Sequence, residues 1–441
     1  MSLVLEGRTI HRALVLGYGV TGRAVVKYLV SEGVQPFVSE ARRLTPVERE
    51  DLSARGVSFE EEGHTKQFIG SADAVILSPG VPMRHAAVVL AQCMEIPVFS
   101  EIDLAASAAC APIVAVTGTN GKGTTVTLIE FMLRMADRKP CVGGNIGTPF
   151  VSLLGGDGHC DVFVLELSSY QLEQCRRLHP HVAVLLNLTP DHLARHRTMR
   201  AYEEAKGRLF RNQRETDVAI LPGALADRFA GGRAPRLIYD DPTILLPAGS
   251  EELAPHNRAN LQAAVAACGV IEPGFDPSRV RLVDLTDAFG LPHRMQVVGS
   301  VHGVRVIDDS KATNADATIA ALRAVKGPVV LLLGGRHKGA GYDVLARAVA
   351  RPQVRQVVAF GEAADDLARW LGEAGVIPAR VRSLSQAIDA GLGIAAPGDT
   401  LLFSPACSSF DAFDDFESRG RAFVEAIRRR AAFVEASDKN L

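Results

Sequence analysis

Short Val/Ile/Leu runs alternate with helix-period segments along almost the whole chain. The apolar runs predict strands at Ala13–Leu16, Ala74–Leu77, Ile113–Val116, Val162–Leu165, Val182–Leu186, Val304–Ile307, Val329–Leu333, Val357–Phe360 and Leu401–Phe403. The periodic segments predict helices at Thr21–Ser31, Thr124–Met135, Met199–Phe210, Ala259–Ala267, Ala315–Ala324 and Phe416–Arg430. This rhythm implies an α/β fold of parallel sheets covered by helices. A length of 441 residues accommodates about three domains of ~150 residues. A fresh βα unit starts after Ala109–Pro112, and Leu291-Pro292 follows a helical stretch. Boundaries there give domains 1–110, 111–291 and 292–441. The Pro-, Gly- and Ala-rich stretch Gly223–Pro255 predicts irregular or weakly β structure.

The segment Val114–Thr127, VAVTGTNGKGTTVT, carries the clearest chemistry. A strand runs into Gly118 and Gly121, which let backbone N–H groups turn toward an anion. Lys122 adds a positive charge, and the following helix points its partly positive end at the same place. Together they predict a phosphate cradle whose commonest occupant is ATP, although G-T-N-G-K is tighter than G-x-x-x-x-G-K.

A second glycine signature, Gly17-x-Gly19-x-x-Gly22, follows the first strand, with Glu40 placed where a ribose-binding carboxylate belongs. It admits NAD, a UDP-sugar or no ligand at all. Ser78-Pro79-Gly80 forms another loop at the carboxyl end of that sheet, where ligands settle in open α/β folds.

In the middle stretch, Glu166 ends a strand and suits Mg²⁺, or else caps the next helix. Asp191 and His192 end another strand and read alone as a polar loop; Lys206, one helical turn from Tyr202, reads alone as a solvated surface Lys. Asn257 and Asn260 open a helix, as caps or as readers of an adenine edge.

Composition narrows the classes. Apolar content of 47% with 22% charge fits a globular chain with a large core. A formal net charge of −2 argues against nucleic acid as the main partner. No apolar run is long enough to span a bilayer, and the N-terminus lacks a secretory pattern. Seven dispersed cysteines without a C-x-x-C pair predict reduced thiols in a cytoplasm.

GTNGKG, GGNIG, LELSSYQLE, DHLARH, YEEAK, HNRAN, LPHR, DDSKATN, LLLGG..KG and FSPACSSFDAFDDFESRG occur in this order. From Gly17 to about Gly420 the chain resembles the Mur ligase family; SKATN and the SPACSSFD segment point to its D-glutamate-adding branch. The resemblance implies an N-terminal Rossmann-like UDP-binding domain, a central P-loop ATPase-like parallel sheet and a C-terminal Rossmann-like domain binding the amino acid. It implies ATP-dependent joining of D-glutamate to UDP-N-acetylmuramoyl-L-alanine through an acyl phosphate, with two Mg²⁺ ions, in the cytoplasm, by a monomer with no membrane or nucleic-acid partner.

By the same resemblance, Gly118, Thr119, Asn120, Gly121, Lys122, Gly123 and Thr124 cradle the ATP phosphates. Asn257 and Asn260 face adenine, and Arg294 and Asp309 reach the nucleotide. Glu166 and His192 organise metal, joined by Lys206 as a carbamate; these three and Lys122 form the catalytic set. Val20, Thr21, Glu40, Arg42, Ser78 and Gly80 surround the uridine diphosphate, while Asn145, Ser168 and His192 meet the muramoyl-alanine part. Lys311, Thr313, Lys338, Ser409 and Phe410 hold D-glutamate. Gly123 stands where muramyl ligases place Ser or Thr, so Thr124 or water takes over that hydroxyl's metal role. The G-T-N-G-K-G form is similar to folylpolyglutamate synthase, which supplies an alternative acceptor chemistry; a nicotinamide oxidoreductase is the other alternative. Pro190 and Ala194 replace acidic residues, and Arg336-His337 replaces a turn in which an Asp often precedes the Lys.

Overall fold

The computed structural model describes residues 3–145, 147–155, 160–229, 232–285, 292–339 and 341–436. Three sheets follow one another along the chain, after a small hairpin of β1 (Leu3–Leu5) and β2 (Arg8–Ile10). The first comprises β3 (Arg12–Leu16), β4 (Gln35–Ser39), β5 (Ser58–Glu60), β6 (Ala74–Leu77) and β7 (Val98–Ser100), in the order β5-β4-β3-β6-β7, all parallel.

The second comprises β8 (Ile113–Thr117), β9 (Pro140–Gly144), β10 (Val162–Glu166), β11 (Val182–Leu185), β12 (Val218–Leu221) and β13 (Arg236–Ile238). Its order is β13-β12-β11-β8-β10-β9, again all parallel. Every residue of β8, β10 and β11 is buried, which is why their sequences are unbroken apolar runs rather than alternating ones.

The third sheet comprises β14 (Gln296–Val301), β15 (Val304–Asp308), β16 (Val329–Gly334), β17 (Val354–Phe360), β18 (Ala379–Arg380), β19 (Thr400–Ala406) and β20 (Phe433–Glu435). It runs β18-β17-β16-β19-β15-β14-β20 and is parallel except where β14 pairs with β15 and β20. In the first two sheets the chain starts inside the sheet and winds both ways, which leaves a crevice at the carboxyl ends beside β3 and β8.

The chain forms two compact units. One is Met1–Leu188 with Arg200–Leu285; the other is Thr189–Met199 with Thr286–Leu441. Inside the first unit the first two sheets share a core that includes Tyr18, Ile102, Phe150, Phe163 and Leu172. Polar groups reinforce that seam: Asp103 accepts from the backbone N–H groups of Arg176, Arg177 and Leu178, and Gln174 donates to the carbonyls of Ser78 and Val81. Leu291, at the second boundary expected from sequence, lies outside the described residues.

Predicted elements fall close to the observed ones. Ala74–Leu77 and Ala315–Ala324 match residue for residue. The helix expected at Ala259–Ala267 runs Pro255–Ile271, and the Met199 helix tightens into a 3₁₀ turn at Arg208–Phe210. Among its described residues, the stretch Gly223–Pro255 holds short 3₁₀ turns and β13 before a helix starts at Pro255.

The cysteine expectation is corrected. Cys141 on the edge strand β9 and Cys160, just before β10, are joined as a disulfide, with Cα atoms 5.7 Å apart. Parallel pairing of β9 with β10 brings these residues together across 19 positions of sequence, a closeness that spacing alone does not reveal.

Candidate functional site

The phosphate-type loop leaves β8 and enters the helix Lys122–Met135. Gly121 caps that helix with φ +88°, a left-handed conformation suited to glycine, and a Cβ there would run into Asn260 Oδ1. Lys122 Nζ folds back to donate to the carbonyls of Gly118 and Thr119, 3.0 Å each. Thr119 Oγ1 lies 3.1 Å from the Tyr202 hydroxyl. The side chain of Asn187, two residues beyond β11, accepts from Asn120 N at 2.8 Å and donates to Asn120 O at 2.9 Å. Its backbone carbonyl accepts from Thr119 N as well. Neither Asn187 nor the Tyr202 hydroxyl was assigned from sequence, where an Asn after an apolar run reads as a loop residue.

Lys206 is not the solvated surface residue its helix position suggests. It is 1% exposed, and Nζ donates to Gly118 O at 2.8 Å and Thr117 Oγ1 at 3.2 Å while lying over the Tyr202 ring. Glu166 is not a helix cap either. Ser168 caps the helix Ser169–Gln174 through a capping box with Gln171. Glu166 Oε1 instead accepts from Asn145 Nδ2 at 3.0 Å, and its buried Oε2 has no protein partner.

Thr124 Oγ1 is likewise buried without one. Hard, unmatched oxygens of this kind suit Mg²⁺, which keeps waters and substrate phosphates as its other ligands. Among the described residues no group of three or more His, Cys, Asp or Glu forms a ready cage. Asn257 and Asn260 lie in the first turns of the helix Pro255–Ile271, whose cap is Ala254 with no side-chain cap bond, so neither Asn serves as the cap.

At the first sheet, Gly17 has φ +91°, its carbonyl accepts from Ser78 Oγ at 2.8 Å, and a Cβ on Gly22 would strike that same carbonyl. The Glu40 carboxylate takes one backbone N–H on each oxygen, with a further lone pair on each. Oε2 accepts from Tyr18 N at 2.7 Å and Oε1 from Arg42 N at 3.1 Å. Arg42 grips Glu48 with two nitrogens, at 2.7 and 2.8 Å, and that hydrogen bonding holds the Glu48 carboxyl down at about 2. Val20 is exposed at the start of the helix Val20–Ser31, with Thr21 behind it; Gly80 is exposed on its loop.

The second unit gathers the remaining residues. Burial pushes the Asp309 carboxyl up to about 7, with Ser404 Oγ donating to it at 2.7 Å and the Arg294 charge acting in the opposite sense. Lys338 Nζ lies 3.3 Å from Asp191 Oδ1 and donates to Thr313 Oγ1 at 3.1 Å. Asn314 Nδ2 donates to the other Asp191 oxygen. Burial works to raise Asp191, yet Lys338, His192 and Asn314 overcome it and bring the carboxyl down to about 2. Lys311 Nζ sits over the Phe416 ring at 5.0 Å. Ser409 is buried and Phe410 exposed on the loop after β19. His192 belongs to this unit, with a left-handed backbone (φ +55°) and Nε2 3.6 Å from Asp191; Lys122, Glu166 and Lys206 belong to the first.

Three family models cover most of the chain: the MurD-like N-terminal domain of Mur ligases over residues 11–100, the Mur ligase middle domain over 116–230, and the Mur ligase glutamate ligase domain over 293–407. This chain belongs to the Mur ligase family. Curated relatives named UDP-N-acetylmuramoylalanine–D-glutamate ligase include one from Salinibacter ruber, 38% identical across 94% of this chain and 97% of its own, and one from Desulfosudis oleivorans, 36% identical across 95% and 96%. Among solved structures, UDP-N-acetylmuramate-alanine ligase MurC from Thermotoga maritima shares the fold with a TM-score of 0.56 at 19% identity, over 95% of this chain and 99% of its own. MurF ligase from the same organism, solved with ADP, matches with a TM-score of 0.56 at 16% identity, over 94% and 93%. The three-domain α/β layout is therefore that of a Mur ligase.

Proposed function

We propose that this Mur ligase joins D-glutamate to UDP-N-acetylmuramoyl-L-alanine at the expense of ATP, in the synthesis of a peptidoglycan precursor. The observation that carries the reading is the loop Gly118–Thr124, with Lys122 on it, Lys206 bonded beneath it and the unmatched Glu166 oxygen on the strand beside β8.

Two carboxylate substrates and a triphosphate repel one another, so the site must supply positive charge and N–H dipoles. Lys122 and the start of its helix serve the ATP phosphates. Glu166 and Thr124 would hold Mg²⁺, with Lys206 as a carbamate and His192 for a second ion; the metal supplies charge neutralisation at the phosphates. Asn145 orients Glu166 and, with Ser168, meets the muramoyl-alanine part. Asn257 and Asn260 face adenine, and Arg294 and Asp309 reach the nucleotide. The N-terminal glycine loop with Val20, Thr21, Glu40, Arg42, Ser78 and Gly80 receives the uridine diphosphate, Glu40 also holding the loop through Tyr18 N.

The substrate carboxylate oxygen attacks the γ-phosphorus and ADP leaves, giving an acyl phosphate. The D-glutamate amine, having lost a proton, then attacks the acyl carbon, and the tetrahedral intermediate expels inorganic phosphate. Lys311, Thr313, Lys338, Ser409 and Phe410 hold the amino acid. Positioning and charge neutralisation supply most of the rate. We place the reaction in the cytoplasm, carried out by a monomer; no described helix is long and apolar enough to cross a membrane.

The test is heavy-oxygen labelling of the muramoyl-alanine carboxylate. One labelled oxygen should appear in the released phosphate; unlabelled phosphate would exclude the acyl-phosphate route.

A further inference from the structure

Lys338 sits in a turn, Arg336-His337-Lys338, fixed from three sides. Arg336 exchanges backbone hydrogen bonds with Ser408 (N to O, 2.8 Å, and O from N, 3.1 Å). The Lys338 carbonyl accepts from Ala194 N at 2.9 Å. Between them, the His337 ring packs against Trp370 at 5.0 Å and Tyr342 at 5.2 Å, and those two rings touch each other at 5.2 Å. His337 Nδ1 accepts from Gly339 N at 3.2 Å, closing the turn on its far side. Tyr342 is in turn buried and anchored through its hydroxyl to Ala406 O at the end of β19.

A lysine ammonium on a four-carbon stem has no direction of its own, so its aim must come from the backbone that carries it. Here that aim is toward Thr313 and Asp191. We propose that His337, held in the Trp370–Tyr342 ring cluster, is a positioning residue that points Lys338 at a carboxylate of the acceptor amino acid. The cluster thereby sets how tightly an acidic acceptor is held. This rests on the ligase reading above and adds to it the structural reason why a His can stand before this Lys.

Losing the ring frees the turn that carries Lys338 and removes none of the hydrogen bonds of the Gly118–Lys122 loop. The test is steady-state kinetics on the full chain, with ATP, UDP-N-acetylmuramoyl-L-alanine and D-glutamate each varied. His337→Ala should raise the D-glutamate KM about ten-fold, a single weakened charge-assisted contact, while kcat and the ATP KM stay within about two-fold. Trp370→Ala should follow it, and Trp370→Phe, which keeps a ring, should restore the wild-type KM. A His337→Ala enzyme with an unchanged D-glutamate KM, or with all three KM values rising together, overturns the inference. A wild-type enzyme with no D-glutamate-dependent phosphate release overturns the ligase reading and this inference with it.

Discussion

The side-chain amide of Asn187 bonds to both the N–H and the carbonyl of Asn120, clamping the tip of the phosphate loop to the end of β11. The clamp fixes the loop before any phosphate arrives, and preorganised N–H groups are worth more than groups that must turn.

Asn187→Ala removes both bonds. The expected result is a loss of about 1–3 kcal/mol in stability, from a half-buried backbone pair left unmatched, and a raised KM for ATP. Asn187→Asp keeps the acceptor but sets a carboxylate oxygen against Asn120 O and a negative charge beside the phosphates, so it should raise the ATP KM at least as much as Ala. Thermal unfolding and ATP titration of the three proteins check this; an Ala variant equal to wild type in both would remove Asn187 from the account.

Lys206 donates to Gly118 O from a position that is 1% exposed. Lys206→Ala should cut turnover by about 100-fold or more, as loss of a fixed charge beside a reacting phosphate does. If the working form is a carbamate, short-chain carboxylic acids should restore part of that loss. Full activity of the Ala variant without any added acid or bicarbonate would contradict the assignment.

Glu101, buried between the first two sheets, accepts from Val151 N at 2.8 Å through one oxygen, and burial pushes its carboxyl up to about 7. An acid raised above its unfolded value binds its proton more tightly in the folded chain. Its contribution to stability is therefore complete below about pH 4.5 and declines as pH climbs to about 7. The full change is about 3 kcal/mol, at ~1.4 kcal/mol per pKa unit. Denaturant unfolding between pH 5 and 8 should show the decline in the wild type and flatten in Glu101→Gln. An equal slope in both would assign the effect to another group.

The fold was legible because buried parallel strands leave unbroken apolar runs, and β6, β8 and β10 stood out for that reason. The loop glycines were legible because positive φ restricts those positions to few residue types, and Lys122 because a Lys follows them at the start of a helix. The burial of Lys206 was not, since it depends on Gly118 O and Thr117 Oγ1, partners 88 and 89 positions away in sequence. Glu40 stood at the right spacing for a ribose, while its hold on Tyr18 N, 22 positions back, was not legible. The Cys141–Cys160 bond depended on the pairing of β9 with β10, and the packing of Thr189–Met199 with the C-terminal residues had no local signal at all.

The most direct measurement is phosphate release from ATP with UDP-N-acetylmuramoyl-L-alanine as the fixed substrate and a panel of acceptors. Release that requires D-glutamate, and is not supported by L-glutamate or a folate, is the predicted outcome. Release that depends only on a folate, or on none of the acceptors, would contradict the account.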